Sequence, residues 1–156
     1  MSSGSEKSIS YCEKIFLSFS RQNIFVGEFG NGIKFKILAN LLVTVHNTVT
    51  AEALLLGQKT GLDEKMIYKV LNAGAGSSVM LNKRMPLMIN KNYEPATASM
   101  TIFLKYIDVI RQFIKNNNIN SPTFEAAAKV YDEAKVNLPS TYDTAAVFEQ
   151  LIINNK

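Results

Sequence analysis

The sequence has one cysteine, Cys12, and one histidine, His46. A single cysteine excludes an intramolecular disulfide framework, and the pair cannot supply a Cys/His cluster for zinc, so no metal site is expected. Such cysteine usage fits a reduced setting, and a cytoplasmic protein is the expectation. An apolar leader is missing as well, because the chain opens on small polar residues, MSSGSEKS. The longest greasy run, residues 38–45, is far shorter than the roughly 20 residues of a membrane span, so no membrane partner is expected. Nor is charge of one sign gathered anywhere. The 17 Lys and Arg against 13 Asp and Glu leave a net +4 spread along the chain, which gives no footprint for nucleic acid.

What is present is a chain of 156 residues, 47% hydrophobic, long enough for one domain with a sizeable core. Residues 8–25 read as a short helix followed by a brief extended piece, NIFVG. Over 33–58 the residues Ile33, Ile37, Leu41, Thr44, Val45, Thr48, Ala51 and Leu55 recur at steps of three and four, the helical period. Leu38, Leu42, Val49, Ala53 and Leu56 flank them, and a helix apolar on most sides is expected to be buried and central. Asp63 and Glu64 open a short second helix that stops before Gly74.

The stretch GSSVMLNKRMPLMINKNYEP combines one helical turn, a proline and an Asn-rich loop. Helical spacing resumes over 97–115, and NNNINSP ends it. Ser121 caps the next helix, with Pro122 at its first position and Glu125 in its first turn, and Asp143 opens the last. No hairpin signal or repeat follows residue 30. The expectation is an all-α domain of about six helices around one long central helix.

Residues 27–47, GEFGNGIKFKILANLLVTVHN, hold the candidate chemistry. Lys36 and Asn40 are four residues apart, about 400° of helix, so a cation and an amide share one face. With Phe35, Ile37 and Leu38 around it, a buried lysine would lose some of its preference for the ammonium form and could exchange protons; Asn40 could orient a hydroxyl or carboxylate. The alternative is a lysine that snorkels to water and an asparagine that bonds locally. The glycines Gly27, Gly30 and Gly32 follow the order GxxGxG, with Phe35 where a third glycine of the dinucleotide fingerprint would fall, and no GK[ST] follows. Glu52 reads as a buried or capping partner, His46 as a packing residue, and Met80, Met85, Met88 and Met100 as core fillers.

The segment GEFGNGIKFKILANLL resembles the G-x-x-G-x-G-x-x-x-K-x-x-N-N segment of the β-hydroxyacid dehydrogenases, which include the 3-hydroxyisobutyrate and L-threonate dehydrogenases. The likeness continues through AEALLLGQKTGLD, the SSVM to IFLK run and SPTFEAAAKVYDEA, over roughly residues 9–153, and looks most like the L-threonate branch. The resemblance implies a helical C-terminal domain like that of 6-phosphogluconate dehydrogenase, used for substrate binding and homodimerisation. It implies NAD or NADP as cofactor, a small hydroxy acid as substrate, Lys36 as the catalytic acid/base and Asn40 as a substrate binder. Gly30 and Gly32 match the turn that approaches the substrate, and Lys105 matches a lysine that reaches toward the cofactor.

Two positions depart from the family pattern: Ala39 replaces the first asparagine, and Tyr106 stands where an aspartate follows Lys105. The family's Rossmann half has no counterpart here beyond residues 1–26, which match at most its last helix and strand, leaving 27–153 as the helical domain. The expectation is therefore a fragment of an NAD(P)-dependent hydroxyacid dehydrogenase, inactive by itself, with a non-catalytic helical dimerisation module as the alternative.

Overall fold

Seven α-helices and one 3-10 turn account for the regular structure, with no strand longer than an isolated bridge. In chain order they are α1 Glu6–Phe19, α2 Asn31–Lys59, α3 Glu64–Ala73, α4 Val79–Asn90, α5 Met100–Asn116, α6 Pro122–Asn137, the 3-10 turn Thr144–Ala146 and α7 Val147–Asn154. The computed structural model describes all residues, 1–156. The all-α class read from periodicity is the class observed. Two units can be distinguished, Met1–Ala39 and Asn40–Lys156, and α2 contributes residues to both.

In the first unit the side chain of Ser5 caps α1 by accepting from the Ser8 amide at 3.4 Å. After α1 the chain comes back alongside its own start. The Ser2 amide donates to the Ile24 carbonyl at 3.0 Å, and the Val26 amide donates to that of Ser2 at 2.9 Å. This parallel bridge is the extended piece expected at NIFVG. No residue of α1 is buried, and Tyr11, Ile15 and Phe19 stand open to solvent.

In the second unit α2 buries a narrow face of small and polar residues: Thr44, Asn47, Thr48, Thr50, Ala51, Leu54 and Gly57. The Thr44 hydroxyl donates to the Asn40 carbonyl at 2.8 Å and that of Thr48 to the Thr44 carbonyl at 3.1 Å, which satisfies both hydroxyls inside the helix. Small residues let neighbours come close. A Cβ on Gly57 would lie 3.1 Å from Cγ1 of Ile67 in α3 and closer still to its Cδ1, so any side chain there would require Ile67 to shift.

The expectation of a helix buried on most sides is thus corrected: Leu42, Val49 and Leu56 are half or more exposed, because the core contact uses the opposite, smaller face. The expectation that nothing approaches a membrane span is corrected too. α2 has 29 residues and its most apolar stretch a mean hydropathy of 1.2, long and apolar enough to cross a membrane by composition, with 39% of that stretch buried. Its buried Asn47 bonds to Tyr131 and Thr144, as the polar residue of a core helix does.

Residues 79–90 form a full helix, not the single turn expected, which makes the helices seven rather than about six. The proline signal misleads here because Pro86 sits inside α4 and removes only one backbone donor. The carbonyl it leaves without a helical donor is that of Asn82, and the Tyr68 hydroxyl reaches it at 3.5 Å, a long contact from α3. Ser78 caps α4 at 3.0 Å, and Leu81, Met85 and Met88 form its buried face.

Helix α5 begins at Met100, three residues later than expected, with Ser99 as its N-cap. Ser121 does occupy the N-cap of α6, with Pro122 first, but its side chain accepts no capping bond. Glu125 turns instead to Arg111 of α5, whose guanidinium lies 2.9 Å from it and 2.6 Å from Asp132. These carboxylates raise the guanidinium's pKa, so it is charged throughout the working range. Met85, Met88 and Met100 fill the core as expected, alongside Phe124, Phe148, Ile107 and Ile110.

One polar cluster lies inside this apolar surround. Arg84 Nη1 of α4 donates to both carboxylate oxygens of Asp143 at 2.7 Å and to the Thr97 hydroxyl at 2.7 Å. Asp143 also accepts from the amides of Thr97, Ala98 and Ala145, at 3.0, 3.2 and 2.9 Å. The last of these is the N-cap bond of the 3-10 turn, so Asp143 does open the final helical segment as expected. Next to it Asn47 donates to the Tyr131 hydroxyl at 3.2 Å and to the Thr144 hydroxyl at 3.3 Å, while Tyr131 donates to the Thr144 carbonyl at 3.2 Å. Burial raises the Tyr131 pKa, and burial together with its bond to Glu149 at 2.8 Å raises that of Tyr93.

Asp143→Ala strands the Arg84 charge and three amides, and is expected to cost about 3–5 kcal/mol in urea unfolding. Arg84→Met added to it should recover part of that loss, since it removes the stranded charge. Tyr93, whose folded pKa is raised, contributes stability that is full below the ordinary tyrosine pKa of about 10 and is lost as pH rises above it. In urea titrations across alkaline pH the wild type should therefore lose stability more steeply than Tyr93→Phe.

Candidate functional site

The first unit holds the glycine turn and Lys36. Gly27 and Gly30 have φ of +84° and +93°, the left-handed region that side chains rarely adopt. The turn is held by local bonds: the Asn31 side chain donates to the Val26 carbonyl at 2.9 Å, and Lys34 Nζ donates to the Asn31 side-chain oxygen at 3.2 Å. Nothing lies within 4 Å of where a Gly30 Cβ would project, so the backbone there is open to close approach. Gly32 is less open, because a Cβ on it would meet the Ser3 hydroxyl at 3.3 Å.

Lys36 follows on the first turns of α2 and is exposed. The burial that its apolar neighbours led one to expect is absent. Ile37 is buried, but Phe35 and Leu38 are 46% and 49% exposed, and Phe29 is 91% exposed. Unit 1 therefore shows an open apolar surface with a lysine in it.

Asn40 and Lys105 belong to the second unit. Asn40 is half-buried and sits one helical turn after Lys36 along α2, as the sequence spacing requires. Lys105 is exposed on α5, and Tyr106 beside it is half-buried. Glu52 is exposed in the middle of α2, so it is neither the buried nor the capping partner expected; its direction on the helix is away from the small-residue face. His46 is half-buried, in line with a packing role.

Sequence reasoning missed the Arg84, Thr97 and Asp143 cluster and the Asn47, Tyr131 and Thr144 set. A signal for Arg84 was available, because it interrupts the Leu81, Met85 and Met88 face and a charge there calls for a buried counter-charge. Which acid answers it, 59 positions away, no local pattern could say. A cavity of about 680 Å³ lies elsewhere, between the end of α2 and α3, with Leu56, Gly57, Leu62, Met66, Ile67 and Val70 on its walls.

The chain is similar to known proteins over most of its length. Residues 30–151 match the family model described as the NAD-binding domain of NADP-dependent 3-hydroxyisobutyrate dehydrogenase. The L-threonate dehydrogenase of Cupriavidus necator is 29% identical, over 96% of this chain and 50% of its own length. The cytokine-like nuclear factor N-PAC of Homo sapiens is 30% identical, over 90% of this chain and 25% of its own length. Among solved structures, 3-hydroxyisobutyrate dehydrogenase from Salmonella typhimurium superimposes with a TM-score of 0.87 at 25% identity, over 94% of this chain and 52% of that one. The chain thus spans about half or less of the length of these proteins.

Gly30→Ala forces a side chain into the left-handed region and should lower stability by about 1–2 kcal/mol. Gly76→Ala, at an exposed glycine with open space around it and no positive φ, should be near neutral when both are compared by thermal unfolding.

Proposed function

Because the chain belongs to the family of the NAD-binding domain of NADP-dependent 3-hydroxyisobutyrate dehydrogenase, we propose that it is the helical, substrate-binding part of an NAD(P)-dependent oxidoreductase acting on a small hydroxy acid. Residues 27–153 are that domain, and residues 1–26 correspond to the end of a Rossmann half. The observation that carries the reading is the order into and along α2: the open Gly30, then Lys36, then Asn40 one turn on, all within the residues that match the family.

The described residues do not themselves fit a dinucleotide. Its pyrophosphate needs a strand, a glycine-rich loop and a helix N-terminus in one βαβ unit, and before α2 there is only a single parallel bridge, Ser2 with Phe25. A nicotinamide held by another domain would supply the hydride acceptor. The chain's own contribution is confined to the hydroxy acid. Lys36 Nζ takes the proton of the substrate hydroxyl, Asn40 holds the hydroxyl or carboxylate, the open backbone at Gly30, with the tighter Gly32 after it, lets the acid approach, and Lys105 would serve the cofactor. An amine used in this way works best out of water, so the apolar surface of Phe29, Phe35 and Leu38 calls for a cover.

A second reading, a non-catalytic helical module, is favoured by the relatives named as cytokine-like nuclear factors and by Tyr106 in place of the aspartate. Calorimetric titration with L-threonate and 3-hydroxyisobutyrate separates the two. Under the enzyme reading one acid binds saturably, at least tenfold more weakly to Lys36→Ala, and fusion to a relative's Rossmann half gives turnover that Lys36→Ala abolishes. Absence of both binding and turnover in a folded chain supports the module.

A further inference from the structure

A cleft of about 430 Å³ opens in the second unit, walled by the segment that follows α4, the segment before the 3-10 turn, and α7. That volume is within the roughly 300–1,000 Å³ of small-molecule sites. Its walls are fixed by bonds that also order the core. Tyr93 is buried, its carbonyl accepts from the Asp143 amide at 2.9 Å, and its hydroxyl donates to Glu149 Oε1 at 2.8 Å. The ring of Tyr142 lies against it, with centres 5.6 Å apart and a tilt of 34°. Lys91 ends α4 in the left-handed region, φ +50°, where its amide donates to the carbonyls of Leu87 and Met88.

The charged groups of this cleft are loosely engaged. Lys91 Nζ lies 3.8 Å from Glu149 Oε1, beyond hydrogen-bond range, so its N–H donors are uncommitted. Glu149 Oε1 already accepts from Tyr93, and Oε2 has no donor from the chain. The lysine side chain is 65% exposed and that of the glutamate 23%, so the acid sits deeper than the base. Leu138, Pro139 and Ile152 add apolar wall, and Lys156 adds a second cation.

We propose that this cleft binds a free α-amino acid with an apolar side chain. A simple anion would have to lie against Glu149, and a simple cation against two lysines; a zwitterion meets both signs. The spacing selects which zwitterion. In an α-amino acid the nitrogen is about 2.5 Å from the carboxylate carbon, by standard backbone dimensions. Laid head to tail along a pair 3.8 Å apart, its ammonium donates to Glu149 Oε2 while its carboxylate accepts from Lys91 Nζ. A long ω-amino acid must fold back on itself to do the same. The side chain is then left to Leu138, Pro139 and Ile152, where removal of apolar surface from water adds to binding. No residue of the cleft is assigned to the hydroxy acid, so the proposal stands whichever reading of the function holds.

Calorimetric titration of the whole chain with L-leucine, followed in parallel by amide NMR shifts, tests this. Binding should be saturable, with the shifts gathered at Lys91, Tyr93 and Glu149. Leucinamide, which lacks the carboxylate, N-acetyl-leucine, which lacks the ammonium, and ε-aminocaproate, whose charges stand far apart, should each bind at least tenfold more weakly. Glu149→Gln keeps an acceptor for Tyr93, and Lys91→Gln changes an exposed side chain. Each should weaken leucine binding at least tenfold while circular dichroism shows the helix content kept. Leucine that does not saturate, a control ligand that binds as well as leucine, or either variant binding it like the wild type would overturn the proposal.

Discussion

The second unit depends on the buried pair of Arg84 and Asp143. Taking two charges out of water is costly, and a pair of this kind persists only when further hydrogen bonds satisfy what the partners leave open. Here Asp143 has the guanidinium, a hydroxyl and three amides, so one carboxylate ties α4, the segment before α5 and the 3-10 turn into one arrangement. Apolar packing alone would allow these pieces to slide; a charge with five fixed donors does not. Asn47, Tyr131 and Thr144 extend the constraint from α6 to α2. The rotation of α2 about its axis follows from that, since Asn47 is its one fully buried amide.

Fixing that rotation has a cost in exposure. Once the face of Thr44, Asn47, Thr48, Ala51 and Gly57 is turned inward, the larger apolar residues Leu42, Val49 and Leu56 are turned out. A helix packing by its large residues would hide more apolar surface but could not bring Ile67 against Gly57 or place an amide beside Tyr131. Close approach and a specified register thus prevail over burying the most hydrocarbon. The open stripe is a consequence of the polar core.

Much of the fold was legible because periodicity survives in single sequences. The limits of α2 and α3 came from three- and four-residue recurrence, Asp63 from first-turn charge and Asp143 from cap chemistry. What was not legible had a physical cause in each case. Pro86 reads as a helix end because the local rule counts a missing donor and cannot see Tyr68 arriving from another helix. The α2 face was misassigned because its apolar residues encircle it, so hydropathy gave no direction. The site was legible only as a spacing, Lys36 to Asn40; that Lys36 would be exposed depends on what covers it, which no residue pattern near it encodes.

That separation of fold from chemistry bears on how the two functional readings can share one architecture. The interactions that define the second unit run through Arg84, Asp143, Asn47, Tyr131 and a methionine-rich core, and none of these is a residue proposed to handle substrate. Lys36 and Lys105 are exposed, so replacing either leaves no buried charge behind and little packing to repair. A protein of this kind can lose its acid/base group without losing its shape. A relative named for a dehydrogenase and relatives named as nuclear factors both resemble this chain at about 30% identity. Fold membership is therefore weak evidence for turnover here, and the open lysine on α2, with or without a cover that excludes water, is where the two readings part.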